Sequence, residues 1–202
     1  MAQSITSLRR TLRQLRNNIP PATRRRFDFS IHQNLLDSGI LLRSGSLAGY
    51  FANDGEPSID LLLQTLTKRN RPYHLPVLKK QKLIFKSYVP GDPLKHNAFN
   101  ILEPTCEQYI TAKYLSAILM PLVGFDHQGN RLGMGGGYYD RTLNFMRNPL
   151  CKKAPLLIGV AYSLQAVETL HRQPWDIPLD AVITEDGLTC FSAKARQLLR
   201  ST

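Results

Sequence analysis

Leu115-Ser-Ala-Ile-Leu-Met-Pro-Leu-Val-Gly-Phe-Asp-His-Gln-Gly-Asn-Arg-Leu-Gly-Met-Gly-Gly-Gly-Tyr-Tyr-Asp-Arg141 is the stretch that decides how the chain is read. It opens with a short apolar run, Leu115 to Pro121, suited to a buried strand. It closes with a helix expected from about Tyr138 to Met146. Between them lie Gly133, Gly135, Gly136 and Gly137. Glycine lets backbone N–H groups converge where side chains would block them, and a helix N-terminus adds partial positive charge. That arrangement holds phosphate; a plain tight connection would also use it. Arg131 and Arg141 bracket the glycines and offer charge-assisted hydrogen bonds. Asp140, in the first helical turn, suits either a helix cap or a magnesium ion bridging phosphates. Tyr138 stands where G-x-G-x-x-G needs its third glycine, so the dinucleotide fingerprint is absent. Asp126, Gln128 and Asn130 imitate the start of a calcium loop, but Arg131 occupies its required glycine position.

Working outward, strands and helices alternate. Upstream, Ile5, Leu8, Leu12 and Leu15 recur at helical spacing, and Pro20-Pro21 ends that helix. A second helix begins near Thr23, with Phe27, Ile31 and Leu35 on one face, and stops at Gly39. Ser46 to Ala52 reads as a strand, with Phe51 alternating with Leu47 and Gly49. After the turn Asn53-Asp54-Gly55, Pro57 suits a first helical turn, and Ile59, Leu62, Leu63 and Leu66 give the third helix its stripe. Tyr73 to Leu78 and Leu83 to Tyr88 read as strands, and a polar stretch with Pro90, Gly91, Pro93 and Pro104 reads as an ordered loop. Downstream, Leu156 to Ala161 is a strand, Leu164 to His171 a short helix, Ala181 to Thr184 a strand and Ser192 to Leu199 a closing helix. Such alternation predicts an α/β domain over residues 1–202, with a mostly parallel sheet covered on both faces. Ligands of such sheets bind beyond the carboxyl ends of the strands.

The chain has 202 residues and a formal net charge of +11. Excess positive charge gathers polyanions without naming one: nucleic acid, nucleoside triphosphate and acidic metabolites all qualify. No apolar run approaches the roughly 20 residues that cross a bilayer. Cys106, Cys151 and Cys190 form no C-x-x-C pair, which favours a reducing compartment. H-E-x-x-H, G-x-S-x-G and Walker A patterns are missing, which argues against a histidine-zinc enzyme or a serine hydrolase. Residues 1–26 carry seven arginines and no acid. Arg9, Arg13 and Arg16 share a helix face. The stretch reads as a mitochondrial transit peptide, a solvated face, or a helix that turns guanidinium groups toward phosphate.

Pro121-Leu-Val-Gly-Phe-Asp126, Gly129-Asn-Arg-Leu-Gly133 and Gly137-Tyr-Tyr-Asp-Arg141 resemble the signature of the 5-formyltetrahydrofolate cyclo-ligases. Arg9-Arg-Thr-Leu-Arg13 resembles that family's nucleotide-binding helix. Phe51-Ala-Asn-Asp-Gly-Glu56 resembles its folate-contacting turn, and Trp175-Asp-Ile-Pro-Leu179 its late segment. The likeness spans nearly the whole chain. It implies a three-layer α/β sandwich akin to the ribose-phosphate isomerase and CoA-transferase folds. It also implies cyclisation of 5-formyltetrahydrofolate to 5,10-methenyltetrahydrofolate with ATP and magnesium, releasing ADP and phosphate through a phosphorylated formyl intermediate. Two other readings are a non-catalytic nucleotide- or folate-binding regulator and a basic nucleic-acid-binding protein. No RNA-binding motif or aromatic-interleaved basic stretch supports the latter.

Carried onto this sequence, the resemblance makes Arg9, Arg10, Thr11, Leu12 and Arg13 contacts for ATP. Arg131, Leu132, Gly133, Met134, Gly135, Gly136, Gly137, Tyr138 and Tyr139 join them. Phe51, Glu56, Phe99 and Met134 to Tyr138 become contacts for folate, and Asp140 and Asp176 ligands for magnesium. Arg131 and Arg13 would stabilise phosphoryl charge, with no side-chain nucleophile required. Arg9 stands where many relatives have lysine, and Met134 and Gly136 replace basic residues carried by some. With Arg9 and Arg13 in the ATP site, the N-terminal helix belongs to the mature protein. The expected setting is then cytoplasmic. The sequence does not give the oligomeric state, a monomer being favoured, and no nucleic-acid or membrane partner is expected. Lys79, Lys80, Lys82, Lys86 and Lys95 suit either a solvated basic face or the polyglutamate tail of a folate.

Overall fold

Apolar and β-branched runs in the middle of the chain build a seven-stranded sheet in the computed structural model, which describes residues 4–148, 150–151 and 153–199. The first strands are β1 (Leu47–Ala48), β2 (Tyr73–Lys79) and β3 (Lys82–Ser87), followed by the pair β4 (Leu94–His96) and β5 (Leu102–Pro104). Next come β6 (Ala117–Pro121), the pair β7 (Gly124–Phe125) and β8 (Arg131–Leu132), then β9 (Leu156–Val160), β10 (Ala181–Thr184) and β11 (Gly187–Cys190). The helices are α1 (Ile5–Asn17), α2 (Pro21–Asp37), α3 (Ile40–Arg43), α4 (Asp60–Lys68), α5 (Tyr138–Leu143) and α6 (Ala193–Leu198).

The main sheet runs β11-β10-β9-β6-β1-β2-β3. Its five inner strands are parallel, while β3 and β11 pair antiparallel at the edges. Alternation along β6 sends Ala117 and Leu119 to one face and Ile118 and Met120 to the other. The first face packs against Ile31 and Leu35 of α2 and Leu62 and Leu66 of α4. The second packs against Leu143 of α5 and against Ile177 and Leu179. The result is helix, sheet, helix: the three layers expected.

From β1 the chain crosses through α4 to β2 on one side, while β6 continues to β9 on the other. The segments that follow β1 and β6 therefore flank a crevice at the carboxyl ends of adjacent strands, the usual seat for a ligand in such sheets. A third apolar cluster closes that end. Leu12 of α1 packs with Val123, Leu132 and Leu170, supported by Leu8 and Val167. The stripe expected on α1 is thus narrower than Ile5 to Leu15, since Ile5 and Leu15 are exposed and the two buried positions are Leu12 and Arg16.

Several local expectations need correction. The strand expected over Ser46 to Ala52 keeps regular pairing only at Leu47–Ala48, and Tyr50 turns its hydroxyl to Pro57 O instead. Pro57 precedes α4 rather than opening it. Leu164 to His171 is not a helix: after a tight turn at Ser163–Gln165, Val167 N donates to Phe125 O and Leu170 N to Asp126 Oδ2. Those donors go to the β7–β8 segment, so no helical ladder forms there. The proline-rich stretch contains the β4–β5 hairpin, tied to β2 by buried Glu103, which accepts from Leu78 N and Asn97 Nδ2.

Candidate functional site

One face of α1 reaches across the crevice. Arg9 Nε donates to Gly133 O at 2.8 Å, and its guanidinium lies against Gly135, where an added Cβ would sit 3.6 Å from the Arg9 Cζ. Arg13 Nε donates to Asp54 Oδ2 at 2.7 Å. Asn17 Nδ2 binds the other Asp54 oxygen at 3.1 Å. Arg10 and Thr11 are exposed on this helix, whereas the Leu12 and Leu132 side chains are buried in the apolar cluster and leave a ligand only their backbone. The hydrogen bond from Arg13, helped by Asn17 and the charge of Arg16, holds the Asp54 carboxyl below its ordinary range despite burial. The arginine face therefore joins the glycine loop to the turn after β1.

The glycine loop is built by backbone conformation that only glycine adopts freely. Gly135 and Gly137 have φ of +97° and +65°. Arg141 braces the loop, donating from Nη2 to Gly136 O and from Nε to Gln81 O, both at 2.7 Å. Its guanidinium also lies over the Tyr138 ring, 5.1 Å from the centroid. Phe99, on the β4–β5 turn, meets the same ring edge-on at 5.8 Å. Met134 and Phe99 are exposed at this mouth, whereas Phe51 packs edge-on against Tyr88 at 5.3 Å, at the border of the core. The Arg141 contacts are with protein carbonyls, so it shapes the loop rather than pointing a free fork at a ligand.

Glu56 lies deeper. Its side chain is 11% exposed, Oε2 accepts from Asn53 N at 3.1 Å, and Oε1 lies 3.8 Å from Arg16 Nη2. Burial pushes this carboxyl up to about 7, opposed by Arg16 and the Asn53 N–H and reinforced by the charge of Asp54. Burial, with the Glu56 charge beside them, also raises the Tyr50 and Tyr139 phenols. A carboxylate held here can accept paired N–H donors from a planar heterocycle.

Across the loop, Arg131 Nη2 and Asp140 Oδ1 are paired at 2.6 Å, and Arg131 Nη1 donates to Ile177 O at 2.7 Å. Ile177 N donates back to the same Asp140 oxygen at 3.3 Å. Asp176 precedes Ile177 in the chain, and its Oδ2 accepts from Gln173 N at 2.8 Å. Among the described residues no three His, Cys, Asp or Glu side chains gather into a metal cage. Two carboxylates nevertheless fit magnesium, which takes few protein ligands and completes its shell with phosphate oxygens and water.

Three residues have structural roles that the sequence does not reveal. Arg16 is fully buried and donates to Asp54 O, Asp54 Oδ2 and Leu122 O. Arg24 ties Gly55 O to Arg16 O. Asp126 accepts from Gln128 N, Asn130 N, Asn130 Nδ2 and Leu170 N, so the segment that imitates a calcium loop spends its carboxylate on its own turn.

The 5-formyltetrahydrofolate cyclo-ligase family model matches residues 1–185. A Haemophilus influenzae protein named 5-formyltetrahydrofolate cyclo-ligase is 37% identical over 182 residues, covering 88% of this chain and 95% of its own. An Escherichia coli K12 protein of the same name is 33% identical over 178 residues, covering 86% and 96%. The NMR structure of Aquifex aeolicus 5,10-methenyltetrahydrofolate synthetase superposes with a TM-score of 0.80 at 31% identity, covering 93% of this chain and 92% of that one. This chain therefore belongs to the 5-formyltetrahydrofolate cyclo-ligase family, a family of enzymes.

Proposed function

We propose that this chain, as one domain over residues 1–202, converts 5-formyltetrahydrofolate and ATP to 5,10-methenyltetrahydrofolate, ADP and phosphate. The observation that carries the reading is the position of α1, which binds Gly133 O through Arg9 and the Asp54 turn through Arg13. One helix thus spans the segment suited to phosphate and the segment suited to folate.

In this reading the glycine loop presents N–H groups to the phosphates, and the cations of Arg9 and Arg13 offset their charge. Glu56 accepts from the pterin, and Phe99 and Tyr138 border the ring. The formyl oxygen attacks the γ-phosphorus and ADP leaves. N10 then attacks the activated carbon, and the C–O bond breaks to release phosphate. Such a sequence needs alignment and charge neutralisation rather than a protein nucleophile. Asp140 and Asp176 would hold magnesium, which would supply charge neutralisation at the phosphates. Arg131, engaged by Asp140 and Ile177, serves this site by fixing the Asp140 carboxylate.

The lysine-bearing β2–β3 turn adjoins the loop through Arg141, which binds Gln81 O and Gly136 O. It suits the acidic tail of a polyglutamylated folate. Among the described residues no helix is long and apolar enough to cross a membrane. Because α1 is built into the site, the cytoplasm is the location this reading favours; it takes a monomer as the favoured state and involves no nucleic-acid partner. The test is methenyl product formation, followed by near-ultraviolet absorbance, with and without ATP and magnesium. Absence of product from folded protein overturns the reading.

A further inference from the structure

Nothing in the sequence separates Arg16 from Arg9 or Arg13, yet it is the arginine that the fold buries completely. Its Nε donates to Asp54 O at 2.9 Å, Nη2 to Asp54 Oδ2 at 3.0 Å and Nη1 to Leu122 O at 3.0 Å. The same Nη2 stands 3.8 Å from Glu56 Oε1. One guanidinium therefore touches the turn after β1, the segment after β6 and the buried carboxylate. We propose that Arg16 is a positioning residue for folate binding: from the nucleotide-side helix it fixes Glu56 and keeps it in its charged, accepting form. The inference rests on the folate role of Glu56 proposed above.

The surroundings of Glu56 support this. Tyr50 faces it from the end of β1, Tyr139 from α5 and Asp54 from its own turn. Of these neighbours only Arg16 is a cation; Asp54 and burial both favour the neutral acid. A neutral carboxyl keeps one acceptor oxygen and gains a donor, so it no longer matches two N–H groups. Replacing Arg16 takes the donor from Asp54 O but leaves two of its partners satisfied. Leu122 O keeps Gln165 Nε2, and Asp54 keeps Arg13 and Asn17.

The experiment is calorimetric titration of the full chain with 5-formyltetrahydrofolate and, separately, ATP, from pH 6 to 9. It compares wild type, Arg16→Met, Arg16→Lys and Glu56→Gln. Wild type should bind folate less tightly below about pH 7, the limb set by Glu56. In Arg16→Met that limb should move up by about one pH unit, with roughly threefold weaker folate binding at pH 7.5 that widens toward about tenfold at pH 6 and recovers by pH 9. Arg16→Lys should keep the limb near its wild-type position, and ATP affinity should change by less than about threefold in both. A merely structural role would weaken binding equally at every pH, and that result overturns the proposal. Should Arg16→Met not fold, Arg16→Lys decides: charge retained as a single point on a shorter side chain must preserve the limb, and its disappearance overturns the proposal. Glu56→Gln separates the two readings. If it leaves folate affinity and its pH dependence unchanged, the role of Glu56 is wrong. If it abolishes the limb while Arg16→Met does not shift it, only the inference about Arg16 fails.

Discussion

Arg9 Nε and Gly133 O, 124 positions apart in the chain, are joined at 2.8 Å. This bond docks α1 on the loop that precedes α5, and it uses one nitrogen of a five-donor fork. In the proposed function the terminal nitrogens serve phosphate while Nε fixes the aim.

Arg9→Gln should therefore raise the KM for ATP by about tenfold or more, the scale of a lost charged hydrogen bond, with a smaller change in the KM for folate. Arg9→Lys keeps the charge but not the fork, and should fall between. Initial-rate kinetics with each substrate varied in turn decide this. Equal effects on both substrates would make Arg9 a clamp for α1 and nothing more.

The glycines are not equivalent. Gly135 and Gly137 adopt positive φ, whereas Gly136 does not. Gly137→Ala should destabilise by about 1–2 kcal/mol from backbone strain alone. Its Cβ would also come within 2.7 Å of Arg141 Nη1 and disturb the brace. Gly136→Ala meets only the Tyr138 ring at 3.0 Å. It should leave the melting temperature close to wild type and act on ligand binding instead. Thermal melts beside ATP titration separate the two; a Gly136 variant that binds both ligands normally would make that position a simple connection.

Asp140→Asn removes a charge from the Arg131 pair and from the candidate magnesium site together. Stability should fall by about 1–2 kcal/mol, because Arg131 keeps Ile177 O but loses its counter-ion. The apparent magnesium requirement should rise, with activity partly restored at higher magnesium. Activity that stays low at every magnesium concentration would assign Asp140 to fixing Arg131 alone.

The sequence made the layered α/β architecture and the glycine loop legible because both rest on local signals: apolar runs, helical periodicity and glycine spacing. Arg16 was not legible. Its place in the helical repeat is shared with Arg9 and Arg13, and its burial depends on Asp54 and Leu122, which lie far away in sequence. The helix expected at Leu164 to His171 failed for a related reason. Its backbone donors find Phe125 O and the Asp126 carboxylate, partners that only the β7–β8 hairpin supplies. Asp140 was read as a cap or a metal ligand, and its bond to Arg131 crosses the glycine loop, beyond what a one-dimensional pattern reveals.

Glu56 yields the prediction with the clearest sign. Its carboxyl titrates near 7 in the folded protein against an ordinary value of 4.5. Between those values the native state binds more protons than the unfolded chain, so stability falls as pH rises through this window and levels off above it. Glu56→Gln carries no such slope and keeps an acceptor for Asn53 N. The variant should match wild type near pH 4.5 and exceed it by roughly 1–3 kcal/mol above pH 7, while binding folate more weakly at that same pH. Denaturant melts at pH 5 and 8, paired with folate titration, test both halves. A variant less stable than wild type by the same amount at both pH values would mean that ionising Glu56 carries no penalty in the fold, and that its contact with Arg16 repays the burial in full.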